Sequence, residues 1–214
     1  MRHSRKLWTV DLHQRHRDGK RYDVSMARVL ILYATYHGQT ARIAERIAKV
    51  LAESGHSAVT RSALEPDTAS DMNAFDGVIV GAAIHRGAHH KRLATLVRKY
   101  LLALRTRPNA FFSVSLSAAG VARQKETAMR MMEKFLDATG WHPDDATTFA
   151  GAVQYSRYHL PLRLMMRLIV KMAGGDTDWS RDYEYTDWSA VERFARDFVL
   201  RLSPASMPPA AAIA

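Results

Sequence analysis

The chain has 214 residues, of which 47% are hydrophobic, so it is large and apolar enough to bury the core of one α/β domain. It contains no cysteine, which excludes a disulfide framework, thiolate zinc sites and a cysteine nucleophile. The formal net charge of +10 favours anionic partners, such as nucleic acid, an acidic membrane surface or a ligand with phosphate or carboxylate groups. No apolar run reaches the roughly 18 uncharged residues of a spanning helix, so any membrane contact is expected to be peripheral.

The two ends of the sequence differ from its centre. Residues 1–25 mix basic residues with histidines and show neither helical periodicity nor the apolar stretch of a secretory signal, which predicts a flexible basic tail. Residues 203–214 are rich in proline and alanine and predict a second flexible tail. One ordered domain is therefore expected at residues 26–202.

Strand and helix patterns alternate within this domain. Short, nearly all-apolar runs are typical of parallel strands that are buried on both faces, and strands are predicted at residues 29–33, 57–62, 78–84, 110–116 and 147–155. Amphipathic patterns predict helices at residues 41–51, 93–104, 127–138 and 188–202. Gly55 follows the first helix at a C-terminal cap position. Five strands that alternate with helices indicate an α/β fold with a doubly wound parallel sheet.

The loop after the first strand, TYHGQT at residues 35–40, suits a phosphate group. Threonine hydroxyls, backbone N–H groups and the positive end of the following helix can converge on one anion there. The loop has neither the Gly-Lys-Ser/Thr ending of a nucleotide-triphosphatase loop nor a G-x-G-x-x-G sequence. A mononucleotide phosphate is therefore favoured, and the alternative is an ordinary loop in which Thr35 caps the helix.

The same loop is similar to the FMN-phosphate loop of flavodoxins, and GAAIHRG at 81–87 and FSVSL at 112–116 resemble the two other loops that flank flavin in that fold. Three later segments resemble more specifically the flavodoxin-type, quinone-dependent protoporphyrinogen dehydrogenases of bacteria. They are FAGAVQYSRY at 149–158, KMAGGDTD at 171–178 and YTDW at 185–188. The resemblance covers about residues 27–200, and it implies a flavodoxin-like sheet of order 2-1-3-4-5 with an insert before the last helix.

This family resemblance also implies a function. One FMN would take electrons from protoporphyrinogen IX and pass them to a membrane quinone, at the cytoplasmic face of a bacterial membrane. No residue stands out as a general acid or base, so no catalytic residue is predicted. The residues expected to bind the cofactor are Thr35, Tyr36, His37, Gly38, Gln39, Thr40, Ala83, Ile84, His85, Ser115, Leu116 and Ser117.

The insert at about residues 156–184 contains a basic and strongly apolar segment. Arg163, Arg167 and Lys171 recur every four residues, so on a helix they form one stripe. Such a helix would suit an anionic membrane surface or the carboxylates of a porphyrinogen, and Arg157 belongs to the same basic set. The alternative is a helix whose apolar face packs on the domain. Aromatic residues do not alternate with the basic ones, so nucleic acid is not an expected partner.

Other residues are candidates for the cofactor or substrate. Arg86 is expected beside the flavin, where it would hold an anionic substrate or tune the flavin. The histidines at 85, 89 and 90 lack matching carboxylates, so no metal site is predicted. Candidates to stack on the isoalloxazine, or to be ordinary core or interface aromatics, are Tyr36, Trp141, Tyr155 and Tyr158.

Two other functions fit a flavodoxin-like fold. One is a quinone reductase that uses NAD(P)H, and the other is a flavodoxin that carries electrons without being an enzyme. The basic composition disfavours the carrier, because that class resembles acidic proteins that dock on basic partners.

Overall fold

A computed structural model describes residues 7–8, 26–153 and 183–202. Its main sheet has six strands in the order β1-β3-β2-β4-β5-β6. The five strands β2 to β6 are parallel, so the predicted order 2-1-3-4-5 is confirmed. The strands are β1 (Leu7–Trp8), β2 (Arg28–Ala34), β3 (Ser57–Ser62), β4 (Gly77–Ala83), β5 (Asn109–Ser115) and β6 (Asp145–Ala150).

The edge strand β1 is a difference from the prediction. Leu7 lies opposite Val59 and Trp8 opposite Ala58, so β1 runs antiparallel to β3. The sequence pattern placed both residues in a tail, because two residues are too few to show a strand period. This pairing extends the sheet by one short strand beyond the flavodoxin-like order.

Within the described ranges, five helices cover the two faces of the sheet. One core lies under α1 and α5, where Ile47 and Phe198 pack with Phe112 of β5. The other lies under α2, α3 and α4, where Phe135 packs with Phe111. Adjacent residues of β5 thus serve opposite cores, as expected of a strand buried on both faces. The helices are α1 (Gln39–Glu53), α2 (Lys91–Lys99), α3 (Leu101–Arg105), α4 (Ala122–Thr139) and α5 (Trp188–Leu202).

Helix boundaries agree with the sequence pattern in part. Gly55 follows α1 with φ +86°, and its N–H bonds the carbonyl of Ala52 at 3.0 Å, so the predicted C-terminal cap is confirmed. The helix predicted at residues 93–104 is wrong as a single element. Tyr100 has ψ 19° and separates α2 from α3.

The strand predicted at residues 147–155 is also wrong as a single element. It is β6 followed, after Gly151, by β7 (Ala152–Val153), which pairs antiparallel with β8 (Tyr183–Glu184) in a second sheet. The Gly151 N–H donates to the Ser115 carbonyl at 3.1 Å, and the Gly151 carbonyl accepts from the Tyr185 N–H at 3.1 Å. The chain therefore passes from one sheet to the other at Gly151.

Candidate functional site

Three loops meet at the carboxyl edge of the central strands. Ala34 ends β2 opposite Ala82 of β4, and Ala83 lies opposite Val114 of β5. The loops at 35–38, 84–90 and 116–121 therefore begin side by side. The strand order reverses between β2 and β4, because β3 lies on the other side of β2. Open α/β sheets bind ligands at such a reversal.

The first loop presents the N-terminus of α1. Gly38 is the N-cap residue with φ 93°, a left-handed conformation that glycine adopts without a steric penalty. Its carbonyl accepts the Arg42 N–H at 3.1 Å, so the N–H groups of the first three helical residues precede the first intrahelical bond. The first turn holds no acidic residue. This helix end can therefore receive an anion.

Thr35 stabilises the loop rather than the helix. Its Oγ1 accepts the Gly38 N–H at 2.9 Å, and α1 has no side-chain cap hydrogen bond. The alternative in which Thr35 caps the helix is therefore wrong. The hydrogen bond fixes the turn that leads into α1.

Thr40 carries an unsatisfied polar atom. Its side chain is 1% exposed, and its Oγ1 has no hydrogen-bond partner in the part of the chain that the structure describes. A buried hydroxyl without a partner costs about 1–3 kcal/mol. Thr40 is the second residue of α1, next to the free N–H groups of the first turn. A phosphate oxygen is the kind of acceptor that would satisfy both.

Gln39 has a different role from the one expected of it. Its Nε2 donates at 2.8 Å to Glu184 Oε1 and at 2.8 Å to Thr186 Oγ1, and its side chain is nearly fully buried. Arg42 donates to Gln39 Oε1 and to Glu184 Oε2, both at 3.1 Å. The Gln39 side chain therefore anchors the segment at 183–186, and only its backbone N–H is oriented as part of the helix end.

The second loop is a tight hairpin. His85 and Ala88 exchange backbone hydrogen bonds of 2.9 and 3.2 Å, with Arg86 and Gly87 between them. Both central residues have positive φ, 51° and 78°, as in a type I′ turn. A non-glycine residue in this conformation is uncommon. The hairpin holds the exposed Arg86 side chain at its tip, where the sequence analysis places an anionic substrate.

Aromatic rings from the first two loops are in contact. The rings of Tyr36 and His85 stack with centroids 4.4 Å apart. The ring centroid of His90 lies 5.8 Å from that of Tyr36, and the ring centroid of His37 lies 6.1 Å from that of His85. Of the second loop's other candidates, Ile84 donates its N–H to the Val114 carbonyl at 2.8 Å, and Ala83 ends β4. The structure thus brings the first two predicted loops together.

The third loop folds back on itself. Ser115 Oγ accepts the Ala118 N–H at 3.3 Å, at the start of a 3-10 helix at Leu116–Ala119 that includes Ser117. Val121 follows with two thirds of its side chain exposed. The Ser115 hydroxyl therefore supports the turn that carries Leu116 and Ser117.

His89 is a partly buried group that the sequence pattern did not single out. Its Nε2 lies 2.9 Å from Ser113 Oγ. Its ring packs on Phe135 and Phe111, with ring centroids 4.8 and 5.7 Å apart. Burial lowers the pKa of this histidine from 6.5 to about 4, so it is neutral at pH 7. In the sequence, His89 is one of three histidines between residues 85 and 90. Only its packing in the fold distinguishes it from the other two.

Several predicted residues lie away from this edge or outside the described residues. Trp141 is fully buried, donates its indole N–H to Asn109 Oδ1 at 2.9 Å and packs on Phe111, so it is a core residue rather than a flavin-stacking one. The described residues contain no group of histidine and acidic side chains suited to a metal ion. Outside the described residues lie Tyr155, Arg157, Tyr158, Arg163, Arg167 and Lys171.

The comparisons with known proteins define the family. Residues 30–180 match the family model described as a flavodoxin domain, which is more than half of the chain. The chain belongs to the flavodoxin domain family. In the part of the chain that is described, no helix has the length and apolarity to cross a membrane.

Two curated relatives of this chain share one name with each other. Protoporphyrinogen IX dehydrogenase (quinone) of Escherichia coli strain K12 is 36% identical over 170 residues, which cover 79% of this chain and 93% of the relative. The protein of that name from Leishmania major is 33% identical over 182 residues, which cover 85% of this chain and 78% of the relative. The sequence-based resemblance to this group of enzymes is confirmed.

Solved flavodoxins support the fold alone. Oxidised Flavodoxin 2 from Bacillus cereus has a TM-score of 0.50 and 20% identity, with 81% of this chain and 99% of that chain covered. A short-chain flavodoxin associated with a non-canonical PDU bacterial microcompartment has a TM-score of 0.51 and 14% identity, with 83% and 100% covered.

The lowered pKa of the partly buried His89 predicts an acid-sensitive fold. The pKa of His89 is 6.5 in the unfolded chain and about 4 in the folded protein. Between pH 6.5 and pH 4 the unfolded chain therefore binds the proton more readily than the folded protein does. Stability is therefore full above pH 6.5 and falls as the pH drops towards 4, by at most about 3 kcal/mol from this residue. His89→Gln, which can keep the hydrogen bond to Ser113, is expected to lose less stability between pH 7 and pH 4.5.

The measurement is urea unfolding of both proteins across this pH range. His142→Gln, at an exposed histidine, is the matched control and is expected to follow the wild type. If His89→Gln were as acid-sensitive as the wild type, His89 would not be a neutral, partly buried group.

Proposed function

We propose that this protein uses FMN to oxidise protoporphyrinogen IX to protoporphyrin IX and passes the electrons to a membrane quinone. The observation that carries the proposal is the 36% identity over 170 residues with an enzyme of that name. The other relative of this name, from Leishmania major, shares 33% identity over a similar length. The proposal is also supported by the N-terminus of α1, which has no side-chain cap hydrogen bond and no acidic residue in its first turn and so would suit a flavin phosphate.

The residues present fit FMN. The N–H groups of the first turn of α1 and the buried Thr40 hydroxyl would hold the phosphate, since neither has a side-chain partner within the described ranges. The loops with Tyr36, His85 and Leu116 would flank the ring system. FMN would supply two-electron chemistry, so three cycles would complete the oxidation. The chain would bind and orient both molecules, and neutral His89 of the second loop lies 2.9 Å from Ser113 Oγ on β5.

All three loops predicted to bind the cofactor remain in the proposed FMN site, but some of the predicted residues have a different role in it. Thr35 and Ser115 would support their turns, and the Gln39 side chain would tie α1 to the segment at 183–186. Backbone groups of this set would make the remaining contacts. They belong to His37, Ala83, Ile84 and Ser117. Gly38 would shape the turn instead, because its N–H and carbonyl already bond Thr35 and Arg42.

We also propose how the chain is organised around the site. Residues 26–202 would form the FMN-binding domain, and 1–25 and 203–214 would be tails apart from the β1 pairing. The insert at about 156–184, with its basic stripe, would contact an anionic membrane surface on the cytoplasmic side of a bacterial membrane, where the quinone is found. Arg86 would face the substrate.

Thr40→Val tests the phosphate site. The variant removes a buried hydroxyl that has no partner among the residues that the structure describes, so the free energy of unfolding of the FMN-free protein is expected to stay the same or rise. Its affinity for FMN is expected to fall about tenfold or more, because a hydrogen bond to a charged phosphate is lost. FMN fluorescence titration and urea unfolding give the two values.

Thr127→Val is the matched control, because the Thr127 hydroxyl bonds the Arg123 carbonyl of its own helix. It is expected to leave FMN affinity unchanged. Wild-type FMN affinity in Thr40→Val would remove the hydroxyl from the site.

The redox reaction is tested by anaerobic mixing of the FMN-loaded protein with protoporphyrinogen IX, followed by a quinone. Flavin absorbance is expected to bleach with the porphyrinogen and to recover with the quinone. Bleaching by NAD(P)H but not by the porphyrinogen would favour a quinone reductase. No bleaching by either would favour an electron carrier and would contradict the proposal.

A further inference from the structure

A groove of about 340 Å³ lies beside the candidate site and is not part of it. One wall is the loop at 63–69, which follows β3, and the other is helix α2. This volume is within the range of small-molecule sites, at about 300–1,000 Å³. The groove is open enough to admit part of a larger ligand.

The loop wall is held in place by its own contacts. Arg61 forms an ion pair with Asp71 and donates to the Thr68 carbonyl at 3.0 Å. Ser70 donates both its N–H and its hydroxyl to the Asp67 carbonyl. Asp67 has φ 50°, a left-handed conformation that aspartate adopts more readily than most residues. The wall is therefore a preformed surface.

The helix wall carries a regular pattern of charge. Lys91, Thr95 and Lys99 are four residues apart on α2 and lie along one line, with the two ammonium-bearing residues about 12 Å apart along the axis. Arg92 and Leu96 form the adjacent line. Among the described residues, Lys91, Arg92 and Lys99 have no ion-pair partner. The Lys99 ammonium lies 5.2 Å from the centroid of the Tyr100 ring.

The two walls differ in charge. Glu65 and Asp67 are exposed on the loop wall, opposite the basic helix. Ala63, Ala69 and Leu96 supply apolar surface between them. A ligand that fits would have carboxylates on one edge, N–H donors in its body and an apolar surface. The acidic wall would repel carboxylates and so direct them towards α2.

The groove adjoins the candidate flavin site at both walls. The Ala63 N–H donates to the Tyr33 carbonyl at 2.8 Å, two residues before the phosphate loop. Lys91 follows His90, whose ring lies 5.8 Å from Tyr36. A ligand anchored in the groove would therefore extend towards the three loops.

We propose that this groove binds the carboxylate-bearing edge of a tetrapyrrole, with Lys91, Arg92 and Lys99 on the carboxylates and Glu65 and Asp67 towards the pyrrole N–H groups. The inference rests on the proposed function for the identity of the ligand. It assigns substrate recognition to α2, which the cofactor site does not use. Protoporphyrinogen IX has two propionate groups and four pyrrole N–H groups, which match the two walls.

The test measures binding of protoporphyrin IX and of its dimethyl ester to the FMN-loaded protein by fluorescence. The double variant Lys91→Gln/Lys99→Gln is expected to bind the free acid about tenfold more weakly than the wild type does. Its binding of the uncharged ester and of FMN is expected to be unchanged. The matched control is Lys125→Gln/Lys134→Gln, which removes the same charge from exposed positions on α4.

The outcomes separate the groove from the proposed function. If both double variants weaken the binding of protoporphyrin IX equally, or if neither weakens it, the proposed groove is overturned, even if the wild type oxidises protoporphyrinogen IX. Selective weakening by the α2 variant would support the groove, even if the wild type failed to oxidise it. Failure of the wild type to bind protoporphyrin IX would overturn the groove, whereas only the redox assay decides the function.

Discussion

The unsatisfied N-terminal turn of α1 is the feature on which the rest of the site depends. Parallel strands bring their carboxyl ends to one edge, and the reversal of strand order between β2 and β4 leaves room there for a ligand. Gly38 starts the helix at that point, and Thr40 adds a buried hydroxyl without a partner in residues 26–153 and 183–202. An anion at this position would satisfy groups that these residues leave unpaired, so binding and folding favour the same arrangement.

The surrounding contacts fix this turn without blocking it. Thr35 holds the loop on one side, and the Gln39 side chain reaches Glu184 and Thr186 on the other. Thr186 donates in turn to the Ala150 carbonyl at the end of β6. The helix end, the last parallel strand and the segment before α5 are therefore one hydrogen-bonded unit, and no side chain of this unit caps the first turn of α1.

The sequence predicts the parallel core well, because buried strands such as β2 and β4 consist of short apolar runs whose order follows from chirality and family resemblance. It fails where tertiary contacts decide. The break at Tyr100 and the change of sheet at Gly151 interrupt patterns that look continuous. The side-chain role of Gln39 depends on Glu184, which lies 145 residues further along the chain. His89 differs from its neighbouring histidines only in its packing, and Arg86 adopts a conformation for which arginine carries no sequence signal.

Comparing FMN with riboflavin tests whether the α1 N-terminus binds the phosphate of FMN, because riboflavin lacks only that phosphate. Isothermal titration of the flavin-free protein with each ligand is the measurement. We expect FMN to bind about 100-fold more tightly or better, as two or more charge-assisted hydrogen bonds to the phosphate imply. Equal affinity for the two flavins would contradict the account.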